Sequence, residues 1–234
     1  MDWFLSNSGM VLERAGQHLV LALIPMVLGL VLSIPLAQLV RTNPTLRSLV
    51  LTVSSLLYTI PSLALFIILP PLLGTRILDP LNVIVALTLY AVALLVRAAL
   101  DAFDSVDEDL RQAAVAMGYK PGLRFLQVDL PLSLPVMFAG LRVVSVSNIS
   151  LVSVAALLGV GNLGMLFTDG LQRTFVTEVV VGIVAILVLA LLMDGVLVLL
   201  ERLLTPWTRA AKGPAADSGR NAAAGLPVSP GAAV

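Results

Sequence analysis

The 234-residue sequence has no cysteine and only one histidine, His18. The absence of cysteine excludes disulfide frameworks, thiol catalysis and cysteine-ligated zinc or iron–sulfur sites. A single histidine excludes most histidine-ligated metal sites and any histidine-dependent catalytic triad. Charged residues make up only 12% of the chain, about half the share of an ordinary soluble domain. The 14 basic and 14 acidic residues cancel, so the net charge gives no support for a nucleic-acid partner.

Hydrophobic residues make up 59% of the sequence and form five runs that are long enough to cross a bilayer as helices. None of the runs alternates with period two, which favours helices over barrel strands. We therefore predict an all-α membrane protein with five transmembrane helices. The predicted spans are residues 19–40, 49–71, 81–98, 134–158 and 179–200.

These spans divide the chain into three parts. Residues 1–18, which include Trp3 and Phe4, are predicted to be an external interfacial segment, and residues 19–205 the transmembrane domain. The Ala-, Gly- and Pro-rich tail of residues 206–234 is predicted to be disordered and cytoplasmic. Most Lys and Arg residues fall on the side of the loop 101–132, so the positive-inside rule predicts an external N-terminus and a cytoplasmic C-terminus.

The loop 101–132 is the longest charged segment between two spans. Ser105 and Glu108 have the spacing of a capping box, which predicts a helix that starts there and stops at Gly118. Pro121 suits the first turn of a second short helix that ends before Pro131. The small residues on the first helix would form a shallow face for a partner, and the alternative is a solvated connector.

The same loop carries a motif. Gln112-Ala-Ala-Val-Ala-Met-Gly118, nine residues and Val128-Asp-Leu-Pro131 resemble the EAA loop of ABC importer permeases. Gln112 stands where that family usually has Glu, and it keeps the ability to form hydrogen bonds. The positions that match in spacing are Ala113, Ala114, Gly118, Val128, Leu130 and Pro131.

Further stretches, at residues 58–65, 86–91 and 157–164, are similar to permeases of the osmoprotectant branch, which imports glycine betaine, carnitine or choline. The resemblance implies a type I importer permease fold in a bacterial inner membrane. It implies a cytoplasmic coupling helix, in which Ala113, Ala114 and Gly118 contact an ATPase subunit. The implied partners are ABC ATPase subunits, a second permease subunit that is identical or paralogous, and an external substrate-binding protein.

The chain itself is expected to be non-catalytic and to bind no cofactor. No G-x-x-x-x-G-K-[ST] pattern occurs, so ATP must be bound by the partner ATPase. Two alternatives to an osmoprotectant permease stay open: a permease for an amino acid or another small solute, and a self-contained ion-coupled carrier or channel. Such a carrier would transport without ATP and would normally show inverted repeats.

Ionisable and polar residues inside the spans mark candidate pathway positions, since charges in a bilayer usually face a partner or a cavity. Arg142 and Asp194 both lie roughly 10–12 Å from the cytoplasmic side at about 1.5 Å per residue, and we predict that they pair. The alternative is separate solvation in a water-filled cavity. Asn148, together with serines of the same span, suits either a pathway lining or ordinary helix–helix hydrogen bonding.

Pro61 interrupts the second predicted span beside Ser62, and a kink there is either a gate or a packing bend. Tyr58 and Tyr90 are the main aromatic candidates inside the membrane, too few for an aromatic cage around a quaternary ammonium. Residues 159–164 fit G-x-G-x-x-G, but they follow a membrane span and not a strand, so we interpret them as a flexible external turn.

Overall fold

The computed structural model describes residues 2–210, which are mostly helical and contain no β-strand. The predicted all-α class is confirmed. Of the predicted tail, residues 211–234 lie outside the described residues. The helices are α1 (Asp2–Val40), α2 (Pro44–Thr59), α3 (Ser62–Leu73), α4 (Pro80–Asp104), α5 (Glu108–Ala116), α6 (Pro121–Arg124), α7 (Leu130–Val154), α8 (Met165–Gln172), α9 (Val176–Leu204) and α10 (Trp207–Ala210).

Within residues 2–210, four helical stretches are long and apolar enough to cross a membrane alone: α1, α4, α9 and the stretch Pro121–Leu158, which contains α7. The pair α2 and α3 is the fifth candidate. Helix α1 begins at Asp2, so the predicted interfacial segment is the first part of the same helix as the first span. At about 1.5 Å per residue this helix is longer than the roughly 30 Å bilayer core, so one end extends beyond it.

The second predicted span is broken at Pro61, and the two halves meet at 100°. Ile60 and Pro61 both have extended backbones, with ψ angles of 129° and 132°. Proline has no N–H to continue the ladder of α2, and its ring disfavours helical geometry at the preceding residue. The expected kink is therefore a break between two helices, with Pro61 at the N-cap of α3.

Helix α4 is the centre of the bundle and packs against α1, α2, α3 and α7. Its side chains Leu87, Leu95 and Phe103 are fully buried. The closest approaches use small residues: Gly29 of α1 lies against Ala91, and Gly140 of α7 lies against Ala98. Small residues let helix backbones approach closely, which is how helices in lipid gain packing energy. Helix α9, by contrast, is largely exposed along its length.

Replacing Gly29 with alanine is expected to lower the melting temperature of the protein in detergent by several degrees. A Cβ atom at Gly29 would lie 2.5 Å from the Cβ of Ala91 and 3.2 Å from the Ala91 backbone, so α1 and α4 would have to separate. Overpacking of this kind costs about 1–3 kcal/mol. The matched control is Gly195→Ala in α9, where the new Cβ meets nothing within 4 Å. Equal melting temperatures for both variants would contradict the close α1–α4 contact.

Candidate functional site

Helix α5, at the end of the bundle where α4 finishes, begins later than the sequence pattern predicts. Its N-cap is Asp107, whose carboxylate accepts from the amide of Asp109. The predicted capping box is wrong because α4 runs on to Asp104, so Ser105 belongs to the end of α4. The Ser105 hydroxyl donates to the Ala102 carbonyl instead.

The predicted stop at Gly118 is confirmed. Gly118 has a φ of +85°, in the left-handed region that glycine adopts without strain. The amide of Tyr119 donates to the Ala114 carbonyl and the amide of Gly118 to the Val115 carbonyl, at 3.1 and 2.9 Å. These two bonds form a Schellman motif, which satisfies the last carbonyls of α5.

The second short helix, α6, begins at Pro121 as predicted and ends at Arg124, but the chain stays helical past Pro131. A π-helical turn, Phe125–Asp129, carries α6 directly into α7. Its last bond runs from the Leu130 amide to the Phe125 carbonyl. Pro131 follows directly and has no N–H to continue the ladder, and the wider π-helical turn lies where that bond is missing. The loop is thus joined rigidly to the following membrane helix.

The motif residues separate into an exposed set and a packing set. Gln112, Ala113 and Gly118 are exposed on α5 and its end. Ala114 is only 1% exposed, so the expectation that it shares the contact face is wrong: its side chain points into the protein. The sequence interpretation missed Val115 and Met117, which are large, apolar and well exposed beside Ala113. Half-buried residues in the π-helical turn and at the start of α7 form the packing set: Val128, Leu130 and Pro131.

Asp129, which the sequence interpretation left unassigned, is fully buried behind α5. Arginines from three different elements surround its carboxylate. Arg41 lies 3.1 Å from Oδ2, Arg111 lies 3.3 Å from Oδ1, and Arg124 lies 3.7 Å from Oδ2. An acidic residue between two aliphatic ones, immediately before an apolar span, was the signal that could have pointed to a partnered charge.

Arg142 of α7 and Asp194 of α9 form the predicted ion pair. The guanidinium is bidentate, with its Nε 2.6 Å from Oδ1 and its Nη2 2.8 Å from Oδ2. The two side chains are 42% and 32% exposed on the surface of the isolated chain. This pair ties the largely exposed α9 to α7 and places charge on a face that lies within two predicted spans.

Asn148 is buried, and its amide donates to the carbonyl of Ala22 in α1 at 3.3 Å. His18 of α1 makes a similar contact, with its Nε2 2.9 Å from the carbonyl of Ile149. Both contacts join α1 to α7. Asn148 therefore makes the kind of helix–helix hydrogen bond that the second alternative describes.

The aromatic candidates meet at the break between α2 and α3. The rings of Tyr58 and Tyr90 are in edge contact, 5.6 Å between centroids. Tyr90 is buried, and its hydroxyl donates to the carbonyl of Ile60, a backbone acceptor freed by the break. Tyr58 and Pro61 are exposed, and Ser62 begins α3. The Tyr90 hydroxyl thus stabilises the break between the two helices.

The glycine-rich stretch after α7 is a well-packed loop. Gly159 has a left-handed backbone, and the buried Asn162 accepts from the Gly164 amide at 2.6 Å. Its neighbours Val160 and Leu163 are buried too. Neither a strand nor an exposed phosphate cradle surrounds these described residues. The predicted external turn is therefore tightly packed, in contrast to the flexible turn that was expected.

Comparison with known proteins identifies the family. Residues 29–206, about three quarters of the chain, match the model of the binding-protein-dependent transport system inner membrane component. The chain belongs to this permease family. It is 33% identical to the osmoprotectant import permease protein OsmW of Salmonella typhimurium, over 88% of this chain and 97% of that protein. It is 29% identical to the glycine betaine/carnitine/choline permease protein OpuCB of Bacillus subtilis, over 88% and 94%.

Solved structures give the same fold for this permease. It superposes on a chain of the inward-facing MetNI methionine ABC transporter with a TM-score of 0.72 and 21% identity, over 83% of this chain and 96% of that one. A chain of an amino acid ABC transporter matches with a TM-score of 0.70 and 14% identity, over 85% and 96%. The chain therefore has the type I importer permease fold and is a multi-pass inner-membrane protein.

Membership of this family indicates the role of the α5 loop. The chain is the permease subunit of an ABC importer, a class that works with an ATPase and a substrate-binding protein. The six spacing matches of the EAA pattern lie on α5, at its glycine stop, in the π-helical turn and at the start of α7. Helix α5 is thus exposed on one face, and ion pairs stabilise its other face. We call these the Asp129 cluster, which consists of Asp129, Arg41, Arg111 and Arg124.

Proposed function

We propose that this permease forms the membrane pathway for an osmoprotectant, a small quaternary ammonium solute such as glycine betaine, choline or carnitine. The observation that carries the proposal is the agreement among its relatives. OsmW and OpuCB match it over nearly their full lengths, as does the carnitine transport permease protein OpuCB of Listeria monocytogenes at 30% identity. The methionine and amino acid transporters support the fold alone, because their identities are only 21% and 14%.

ATP is bound by a separate ATPase subunit in this proposal, and the chain holds no cofactor. The exposed face of α5 contacts that ATPase, so α5 and the C-terminus are cytoplasmic and the N-terminus is external. The basic residues support this orientation, because Arg41, Arg111 and Arg124 all lie at the α5 end of the bundle. A second permease subunit, identical or paralogous, completes the pathway, and an external binding protein delivers the solute.

One relative suggests a different cargo. The ergothioneine transport permease/binding protein EgtU of Helicobacter pylori is 34% identical over 65% of this chain, which covers 27% of that protein. Ergothioneine is therefore the second candidate solute. Ion-coupled or channel-like transport without ATP is the remaining alternative, and nothing in the comparisons favours it.

The test is uptake by the complete complex in proteoliposomes, reconstituted from this permease, its ATPase and its binding protein. Labelled glycine betaine, choline, carnitine, ergothioneine and methionine are compared with and without enclosed ATP. We expect ATP-dependent uptake of at least one of the first three. Uptake of ergothioneine or methionine alone would contradict the proposed osmoprotectant substrate. Equal uptake with and without ATP would contradict the ATP-driven importer mechanism.

A further inference from the structure

Asp129 joins several helices through its two carboxylate oxygens. Oδ1 accepts from Nε of Arg111 in α5, and Oδ2 accepts from Nη2 of Arg41, directly after α1. The third guanidinium, from Arg124 of α6, lies behind Oδ2. Asp129 itself ends the π-helical turn that leads into α7. One carboxylate therefore links α5, α6 and the ends of two membrane helices.

The end of α4 closes the other side of this cluster. Arg111 also donates from Nη2 to the carbonyl of Phe103 and from Nη1 to Glu108, the latter at 3.1 Å. The guanidinium of Arg41 lies 5.7 Å from the centroid of the Phe103 ring. Phe103 in turn makes an edge contact with Phe125, the first residue of the π-helical turn. The polar bridge is thus enclosed by aromatic rings from α4 and the turn.

Apart from the bonds of Arg111, little of helix α5 is buried against the protein. Its one buried side chain, within the described part of the chain, is that of Ala114, a single methyl group. A displacement of α5 is therefore passed on through Arg111. A fully buried carboxylate must keep its partners, since an unpaired charge in the interior is strongly unfavourable. The cluster consequently moves as one body when α5 moves.

We infer that Asp129 is a positioning residue that transmits the movement of α5 to α1 and α7. Through this link, ATP hydrolysis in the partner ATPase drives transport. This inference rests on the proposed function. Asp129 touches neither solute nor ATPase in this account and acts through Arg111 and Arg41. Replacing Asp129 should lower solute uptake per ATP hydrolysed. A variant that only folds less well would lower uptake and ATP hydrolysis together.

The first variant is Asp129→Asn in the complete importer in proteoliposomes. Asparagine keeps the shape but has one acceptor oxygen, so its amide turns a donor towards one of the two arginines. Solute uptake per ATP hydrolysed is expected to fall about tenfold, within the range of coupling free energies between sites. ATP hydrolysis per assembled complex is expected to continue.

The second variant, Arg111→Gln, removes the bond from α5 to Asp129, together with the bonds of Arg111 to Phe103 and Glu108, and leaves Asp129 with Arg41 and Arg124. If Asp129→Asn fails to assemble, Arg111→Gln tests the inference in its place. Arg111→Lys should recover part of the uptake per ATP hydrolysed, because lysine keeps the positive charge. The matched control is Arg47→Gln, which removes a more exposed pair with Asp104 at 2.6 Å between α2 and α4. That variant should keep the wild-type ratio.

A fall in uptake per ATP for Asp129→Asn and Arg111→Gln, with Arg47→Gln unchanged, supports the inference. An unchanged ratio in the assembled variants overturns it, whether or not the amount of complex drops, because the cluster would then be only structural. The wild-type complex separates this result from the proposed function. If the wild type shows no ATP-driven uptake, the importer assignment fails first, before the variants are compared.

Discussion

Gly118→Asp is expected to abolish ATP-driven uptake while the protein still inserts into the membrane. The φ of +85° at Gly118 disfavours any residue with a Cβ, by roughly 1–2 kcal/mol. The larger effect is on docking, because the carboxylate would stand at the exposed end of α5 beside Ala113. A Cβ at Gly118 meets nothing within 4 Å of this chain, so the fold has room for it. We expect a loss of more than about 100-fold, equivalent to about 3 kcal/mol.

The control for this substitution is Gly122→Asp. Gly122 is exposed on α6, has no left-handed backbone, and also has open space around a new Cβ. The substitution Gly122→Asp introduces the same charge into the same loop but away from the end of α5. Uptake is measured per reconstituted permease, and copurification of the ATPase with each variant is recorded beside it. Normal uptake with Gly118→Asp, or an equal loss with Gly122→Asp, would show that the end of α5 is not the docking surface.

Arg142→Ala is expected to be the second most damaging change, with uptake reduced more than about tenfold, within the range that coupled pairs show. The substitution leaves the Asp194 carboxylate without its bidentate partner in a segment predicted to lie in the bilayer. Removing Asp194 as well removes the unpaired charge. The double variant Arg142→Ala/Asp194→Ala should therefore recover part of the lost uptake.

A double-mutant cycle gives the measurement, with uptake and melting temperature recorded for each single and double variant. The pair of Arg47 and Asp104, which is similarly exposed but lies outside the predicted spans, supplies the matched cycle. Its losses should add, because surface pairs in water contribute little. Additive losses at Arg142 and Asp194 would contradict a functional pair. They would mean that each group is solvated independently.

The sequence predicted the helices well because their signals are local. Apolar length marked the spans, and Gly118 marked the end of α5 through its freedom to adopt a left-handed backbone. Pro61 was recognised as an interruption, but periodicity could not give the 100° angle between α2 and α3. That angle depends on tertiary contacts such as the hydroxyl of Tyr90 on the Ile60 carbonyl.

Errors arose where a residue's role depends on distant partners. The spacing of Ser105 and Glu108 fits a capping box, yet α4 extends far enough to use Ser105 itself. Ala114 shares its spacing with Ala113, and only the packing behind α5 shows which of the two faces inward. Asp129 could not be matched with Arg41 from the sequence, since 88 positions separate them. The equal depth of Arg142 and Asp194 did predict their pairing, because a membrane restricts where charges can meet.

The most direct test of the account is whether α5 touches the ATPase, and the absence of native cysteine makes it simple. A single cysteine replaces Ala113 and carries a thiol-attached photo-cross-linker in the assembled complex. The control cysteine replaces Leu171, which is 77% exposed on α8 and expected on the external side. The account predicts a covalent adduct with the ATPase from position 113 and none from position 171. No adduct from position 113, or equal adducts from both positions, would contradict it.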